Sequence, residues 1–366
     1  MRRFFVQIII AVSLLFFLFP SVGQSIETIS ISAHNAILME QQSGRVIFEK
    51  DAHERRPIAS ITKVMTAIIA IENGDLKDKV KVSERAIYTG GSSIYLQKGE
   101  TMTLEDLLYG LMLRSGNDAA VAIAEHIGGS VEGFVFLMNE KARYLGMTNT
   151  NFKNPHGLDE DGHYSSAYDI AVLMRYAMEN ELFREISGSE HYHSKNRDYR
   201  WNNKNKLLTK YYDHCTGGKT GYTKKAGRTL VTTSEKDDLE FISVTLNAPD
   251  DWNDHRSLYD WGYENYDLVL LEKKGTRIFE TEEEKITGYI EDDVVYPLLD
   301  EERSKLTKHV YLQREQTEDM LGKIVYSIQS EPILEVPVYV REEKEKSLSD
   351  RIIHSLKRIL WLDQNG

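Results

Sequence analysis

Between residues 32 and 51 the apolar positions fall in two short runs, Ala36-Ile-Leu-Met-Glu and Val46-Ile-Phe-Glu-Lys, on either side of Gln-Ser-Gly-Arg. Gly44 supplies the turn, and the pattern predicts a β-hairpin. The period then lengthens. Pro57-Ile-Ala-Ser-Ile-Thr-Lys-Val-Met-Thr-Ala opens a helix expected from about Ser60 to Glu72 and stopped at Asn73-Gly74. Thr103-Leu-Glu-Asp reads as a capping box ahead of Leu107-Leu-Tyr-Gly-Leu-Met-Leu. Helices are also expected from Asn117 to Ile127, after Ser130 as far as Gly146, and from Asp169 to Glu179.

Beyond these the pattern changes again. His214-Cys-Thr-Gly-Gly-Lys-Thr-Gly, Arg228-Thr-Leu-Val-Thr-Thr-Ser and Leu239-Glu-Phe-Ile-Ser-Val-Thr-Leu read as strands joined by short turns, and 257–266 as one more helix. From Asp267 onward, runs such as Lys285-Ile-Thr-Gly-Tyr-Ile, Val310-Tyr-Leu-Gln and Leu334-Glu-Val-Pro-Val-Tyr-Val alternate with period two. The order predicts an α+β protein: an α/β sandwich on an antiparallel sheet (24–266), then a small all-β domain (267–343).

The two ends read differently. Arg2 and Arg3 precede an apolar run from Phe4 to Phe19, broken at Pro20 and followed by the small residues Ser21-Val22-Gly23. This is the pattern of a secretory signal peptide over 1–23. An uncleaved anchor is the rival reading, but the run is shorter than the ~20 residues a spanning helix needs. At the other end Leu348, Ile352, Leu356, Ile359 and Leu360 recur at helical spacing, with Arg351, His354, Lys357 and Arg358 toward the other side. The segment 344–366 is therefore expected to be an amphipathic helix on a membrane surface; packing against the chain's own β domain is the alternative.

Composition narrows the partners. The 366 residues carry a formal net charge of −12, which argues against a nucleic-acid partner. Cys215 is the single cysteine, so no internal disulfide is possible, and it reads as a small buried hydrophobe. His191-Tyr-His193 could be a metal pair, but no third ligand or H-E-x-x-H accompanies it, and no metal or cofactor is expected.

Three motifs carry chemistry. Ser60 and Lys63 lie one helical turn apart on one face, inside an apolar stretch. Desolvation favours the neutral amine, which could take the serine's proton. Ser115-Gly-Asn117 interrupts a long apolar stretch between two helices and offers a hydroxyl and an amide. Alone, Asn117 would read as a helix cap. Lys219-Thr220-Gly221 is not a phosphate loop, because Asp213 stands where the first glycine should be. A strand of this kind can lie along an extended peptide and hold its terminal carboxylate.

Ser-x-x-Lys, Ser-x-Asn and Lys-Thr-Gly in this order are the signature of penicillin-binding proteins and class A β-lactamases. From about Ala33 to Leu270 the chain resembles the low-molecular-mass penicillin-binding proteins, the serine-type D-alanyl-D-alanine carboxypeptidases of peptidase family S11. Thr216–Thr223 and Asp-Asp-Trp-Asn-Asp-His look most like the spore-cortex type of endospore formers. The resemblance implies that Ser60 attacks the carbonyl between two D-alanines of a peptidoglycan stem, with Lys63 as base. Ser115 and Asn117 would serve proton transfer and substrate positioning. Lys219 and Thr220 would hold the carboxylate, and the N–H groups of Ser60 and Tyr222 would form the oxyanion hole. His156, Gly157 and Asp159 would lie in a loop below the site. β-Lactams would be covalent inhibitors, and the family's C-terminal tail implies a place on the outer face of the cytoplasmic membrane.

One departure stands out. Many relatives carry an arginine after the strand that follows Lys-Thr-Gly; here Asn247-Ala-Pro-Asp-Asp-Trp occupies that place. Arg228 is the expected substitute. A β-lactamase would need a Glu-x-x-x-Asn loop, of which Glu179-Asn-Glu-Leu-Phe is only a faint echo. A non-catalytic penicillin-binding sensor or wall-binding module is the other alternative.

Overall fold

The computed structural model describes residues 29–280, 285–312 and 320–340. Its first sheet has five strands in the order β2-β1-β9-β8-β7: β1 Asn35–Glu40, β2 Val46–Lys50, β7 Cys215–Thr223, β8 Gly227–Lys236 and β9 Leu239–Leu246. Every pairing in it is antiparallel. Two short hairpins, β3 Lys79–Lys81 with β4 Thr101–Thr103 and β5 His191–Tyr192 with β6 Trp201–Asn202, lie outside it.

The helices are α1 Lys63–Asn73, α2 Glu84–Ile87, α3 Leu104–Arg114, α4 Asn117–Gly128, α5 Val131–Tyr144, α6 Ala167–Met178, α7 Glu181–Gly188 and α8 Asp251–Asn265. Most start where a short polar side chain can take a free backbone N–H. Thr103 Oγ1 accepts from Asp106 N (3.0 Å), Ser130 Oγ from Gly133 N (2.9 Å) and Ser166 Oγ from Asp169 N (3.1 Å). Period two on the strands divides the sheet's faces. Ile37, Met39, Ile242 and Val244 enter the main core with α1, α3, α4 and α6. On the other face Leu38 and Phe241 pack against Gly262 of α8.

After α8 the chain forms β10 Tyr266–Glu272, which pairs with β13 Val294–Leu299. A second five-stranded antiparallel sheet follows, in the order β11-β12-β16-β15-β14. Its strands are β11 Gly275–Glu280, β12 Lys285–Ile290, β14 Leu306–Leu312, β15 Met320–Ile328 and β16 Glu331–Tyr339; a single turn, α9 Asp300–Arg303, precedes β14. Ile290, Ile324, Tyr326, Val336 and Val338 form its own apolar centre. Arg45, in the β1–β2 turn, reaches Glu302 and the Pro297 carbonyl and lies over the rings of Tyr266 and Tyr296.

Two expectations need correction. The helix expected over 257–266 begins at Asp251. Residues Glu181–Gly188, to which no element was assigned, form α7, capped by Asn180 Oδ1 accepting from Phe183 N (3.1 Å). The signal segment 1–23 and the tail 344–366 lie outside the described residues.

Candidate active site

Ser60 sits in a 3-10 turn, Ala59–Thr62, that leads directly into α1. The preceding residue, Ala59, has φ +48°, a left-handed backbone that costs about 1–2 kcal/mol for a non-glycine residue. Its surroundings hold it there. Thr62 Oγ1 donates to the Ala59 carbonyl (2.8 Å), and Thr229 Oγ1 donates to that of Ile58 (3.0 Å). Gly157 lies so close that a Cβ there would fall 1.9 Å from the Ala59 oxygen. The bend turns Ser60 out of the core into a cleft of about 300 Å³.

Lys63, one turn on, is fully buried. Its Nζ donates to the His156 carbonyl (2.6 Å) and to Asn117 Oδ1 (2.7 Å), and stands 3.1 Å from Ser60 Oγ. Burial drives its pKa well below the ordinary lysine value; Lys219 and Lys204 push it further down, while Asp118 opposes them. Asn117 is the first residue of α4, not its cap, which is Gly116. Both ends of its amide are engaged within the protein, since Nδ2 donates to the Gly90 carbonyl (2.6 Å). The amide expected to position substrate thus also holds Lys63.

Ser115 lines the cleft from the left-handed residue that ends α3 (φ +63°). Thr220, Gly221 and Tyr222 of β7 line the facing wall. Gly221 packs so tightly that a Cβ would come 2.9 Å from Ser60 N and 2.4 Å from Thr229 Oγ1. This close approach brings the backbone of β7 to the serine. Lys219 is buried, with Nζ donating to the Thr220 carbonyl (2.9 Å), and burial followed by Lys204 lowers its pKa to about 7.

Arg228, opposite Tyr222 in the β7–β8 register, also lines the cleft. His156 does not: among the described residues it contributes its backbone carbonyl to Lys63, while its ring Nδ1 accepts from Leu158 N (3.2 Å). The site residue expected there is better described as a support of the lysine. Asp159 reaches β7 by accepting from Thr223 Oγ1 (2.8 Å).

Four lining residues were not anticipated as site residues: Ser92, Lys204, Asp251 and Trp252. Lys204 Nζ donates to Ser92 Oγ (3.1 Å). Nothing in Trp-Asn-Asn-Lys marks it as a site residue, whereas Asp251 and Trp252 belong to the acidic run that replaces the expected arginine. Asp118, also unforeseen, is buried and accepts from the N–H groups of Ile94 and Leu96 (each 3.1 Å), tying down the loop that carries Ser92. Glu179 lines a different cavity, with Glu40 and Arg175, and is not among the residues around Ser60. Cys215 is buried, which pushes its thiol up to about 12 and leaves it a poor nucleophile.

A serine, a buried lysine and a Lys-Thr-Gly strand therefore meet in one cleft, and comparison with known proteins agrees. A family model described as D-alanyl-D-alanine carboxypeptidase, peptidase S11, matches residues 22–250. The chain belongs to this family of serine-type enzymes. The D-alanyl-D-alanine carboxypeptidase DacF of Bacillus subtilis is 34% identical over 373 residues, covering 95% of this chain and 96% of the relative. DacC of Escherichia coli is 36% identical over 265 residues, 67% of this chain and 65% of the relative. The structure of penicillin binding protein 5 from Haemophilus influenzae aligns with a TM-score of 0.75 at 26% identity, covering 87% of this chain and 99% of that one.

Proposed function

We propose that this S11 carboxypeptidase removes the terminal D-alanine from peptidoglycan stem peptides through an acyl-enzyme on Ser60. The observation that carries this reading is the set of contacts around Lys63 Nζ. A neutral amine has two hydrogens and one lone pair. The His156 carbonyl and Asn117 Oδ1 take the hydrogens, which leaves the lone pair toward Ser60 Oγ at 3.1 Å. Lys63 then accepts the hydroxyl proton as the Ser60 Oγ–carbon bond forms. The developing oxyanion is met by backbone N–H groups where β7 touches Ser60. As the C–N bond breaks, the proton passes to the departing amine, with Ser115 as relay. Water then attacks the ester carbonyl, giving a proton to Lys63, which returns it to Ser60 Oγ as the Oγ–carbon bond breaks and the shortened peptide leaves as its acid. Lys219, Thr220 and Arg228 bind the terminal carboxylate from the β7 side of the cleft.

The test is D-alanine release from a pentapeptide by the purified chain, with Lys63→Ala alongside. The variant is expected to keep its fold and lose acylation. A Lys63→Ala chain that acylates at the parent rate contradicts the assignment.

The enzyme is further proposed to be exported and held on the outer face of the cytoplasmic membrane by residues 344–366. The apolar and basic spacing of that tail supports this, as does the charged-then-apolar start of the chain. A chain ending at Glu345 should keep carboxypeptidase activity and no longer pellet with anionic vesicles. Undiminished pelleting would move the anchor elsewhere. The similarity to DacF across 95% of the chain is compatible with the spore-cortex type, for which expression confined to sporulating cells is the check.

A further inference from the structure

Arg228 is not a free cation. Its Nε (3.0 Å) and Nη2 (2.7 Å) both donate to Asp251 Oδ1, and the guanidinium carbon lies 5.5 Å from the centre of the Trp252 ring. The three residues line the cleft together with Ser60 and Thr220. Asp251 is almost completely buried, while the Arg228 side chain is 42% exposed. Burial raises the Asp251 pKa, and the bond from Arg228 counters it. The backbone closes the unit, because Ala248 N donates to the Arg228 carbonyl (3.0 Å) and ties the end of β9 to β8.

An unrestrained arginine side chain samples many rotamers, and fixing it on binding costs free energy. Here a buried carboxylate engages the Nε–Nη2 edge and an indole ring lies beside the group, while the exposed part of the side chain faces the cleft. We propose that Asp251, assisted by Trp252, is a positioning residue that orients Arg228 toward the carboxylate of a substrate's last residue, and so sets the preference for a free C-terminus. It rests on the reading that Arg228 binds that carboxylate. The Asp-Asp-Trp run that stands in place of the expected arginine thus becomes the mounting for an arginine delivered from β8.

The experiment uses the full chain and two peptides, one ending in D-alanyl-D-alanine and one ending in D-alanyl-D-alaninamide, with kcat and KM measured for each. Arg228→Ala should lower kcat/KM for the free-acid peptide by about tenfold or more, the scale of a lost hydrogen bond to a charged group, and change the amide by less than about twofold. Asp251→Ala should show the same selectivity, about three- to tenfold on the free acid, chiefly in KM. Asp251→Asn keeps an acceptor oxygen for Arg228 and should recover most of that loss. Equal losses on both peptides with Asp251→Ala, while Arg228→Ala remains selective, would overturn the positioning role and leave the carboxylate reading standing. Equal losses on both peptides with Arg228→Ala would overturn that reading itself. Because Asp251 starts α8, melting temperature is recorded for each variant; a non-selective loss that tracks a lowered melting temperature counts against the proposal.

Discussion

Asn117 Oδ1 lies 2.7 Å from Lys63 Nζ, and the same amide is tied at its other end to the Gly90 carbonyl. A neutral partner is what a lysine acting as a base requires. An anion at that distance would stabilise the ammonium instead. Asn117→Asp is therefore predicted to raise the Lys63 pKa and move the rising limb of acylation to higher pH. The pH dependence of acylation by a fluorescent penicillin checks this; an unshifted limb would separate Asn117 from the base.

Two lysines set opposite limbs of the pH profile. Lys63 acts when neutral, so the rate rises with pH through its lowered pKa. Lys219 binds a carboxylate when charged, so in the free enzyme its contribution is lost as pH rises through about 7. The kcat/KM profile for a free-acid peptide is predicted to be bell-shaped. For the carboxamide peptide the alkaline fall should largely vanish, since no carboxylate is bound. An identical alkaline limb on both substrates would remove Lys219 from carboxylate recognition.

Gly221→Ala introduces a methyl 2.9 Å from Ser60 N and 2.4 Å from Thr229 Oγ1. The strand must move away from the serine, and the oxyanion donors with it. Acylation is expected to fall on the order of 10²-fold, as for loss of one such donor, with the far-ultraviolet circular dichroism unchanged. A variant acylating at the parent rate would show that the approach of β7 to Ser60 is not needed.

Much of this site was legible in the sequence because its parts are local. Ser-x-x-Lys needs only a helical turn, and Lys-Thr-Gly only a strand edge. The contacts that make them work join distant segments: the His156 carbonyl on Lys63, and Gly157 against Ala59. The start of α8 was missed for a different reason. Its first turns bury Asp251, Asp254 and His255, whose partners are Arg228, Ser32, Thr232 and Thr245. A helix packed through polar side chains shows no apolar period, so hydropathy could not find it.

Those buried polar groups have a cost in acid. Burial lowers the pKa of His156 to about 3, of His163 to about 4 and of His255 to about 3. Each is neutral in the folded protein, whereas an unfolded histidine takes a proton near pH 6.5. Folding stability is therefore undiminished by these groups above pH 6.5 and is lost as pH falls from there toward 3–4. Urea midpoints measured from pH 7.5 down to 4.5 should decline across that window, less steeply in His255→Gln. A flat profile would show that these rings are charged in the folded state.

The central claim is that Ser60 is the atom acylated and that Lys63 makes it so. Mass spectrometry of the chain after exposure to a penicillin, followed by peptide mapping, tests it directly. One adduct is predicted, on the peptide carrying Ser60, and none in Ser60→Ala, which should also release no D-alanine. An adduct on any other residue, or labelling that survives in Ser60→Ala, would contradict the account.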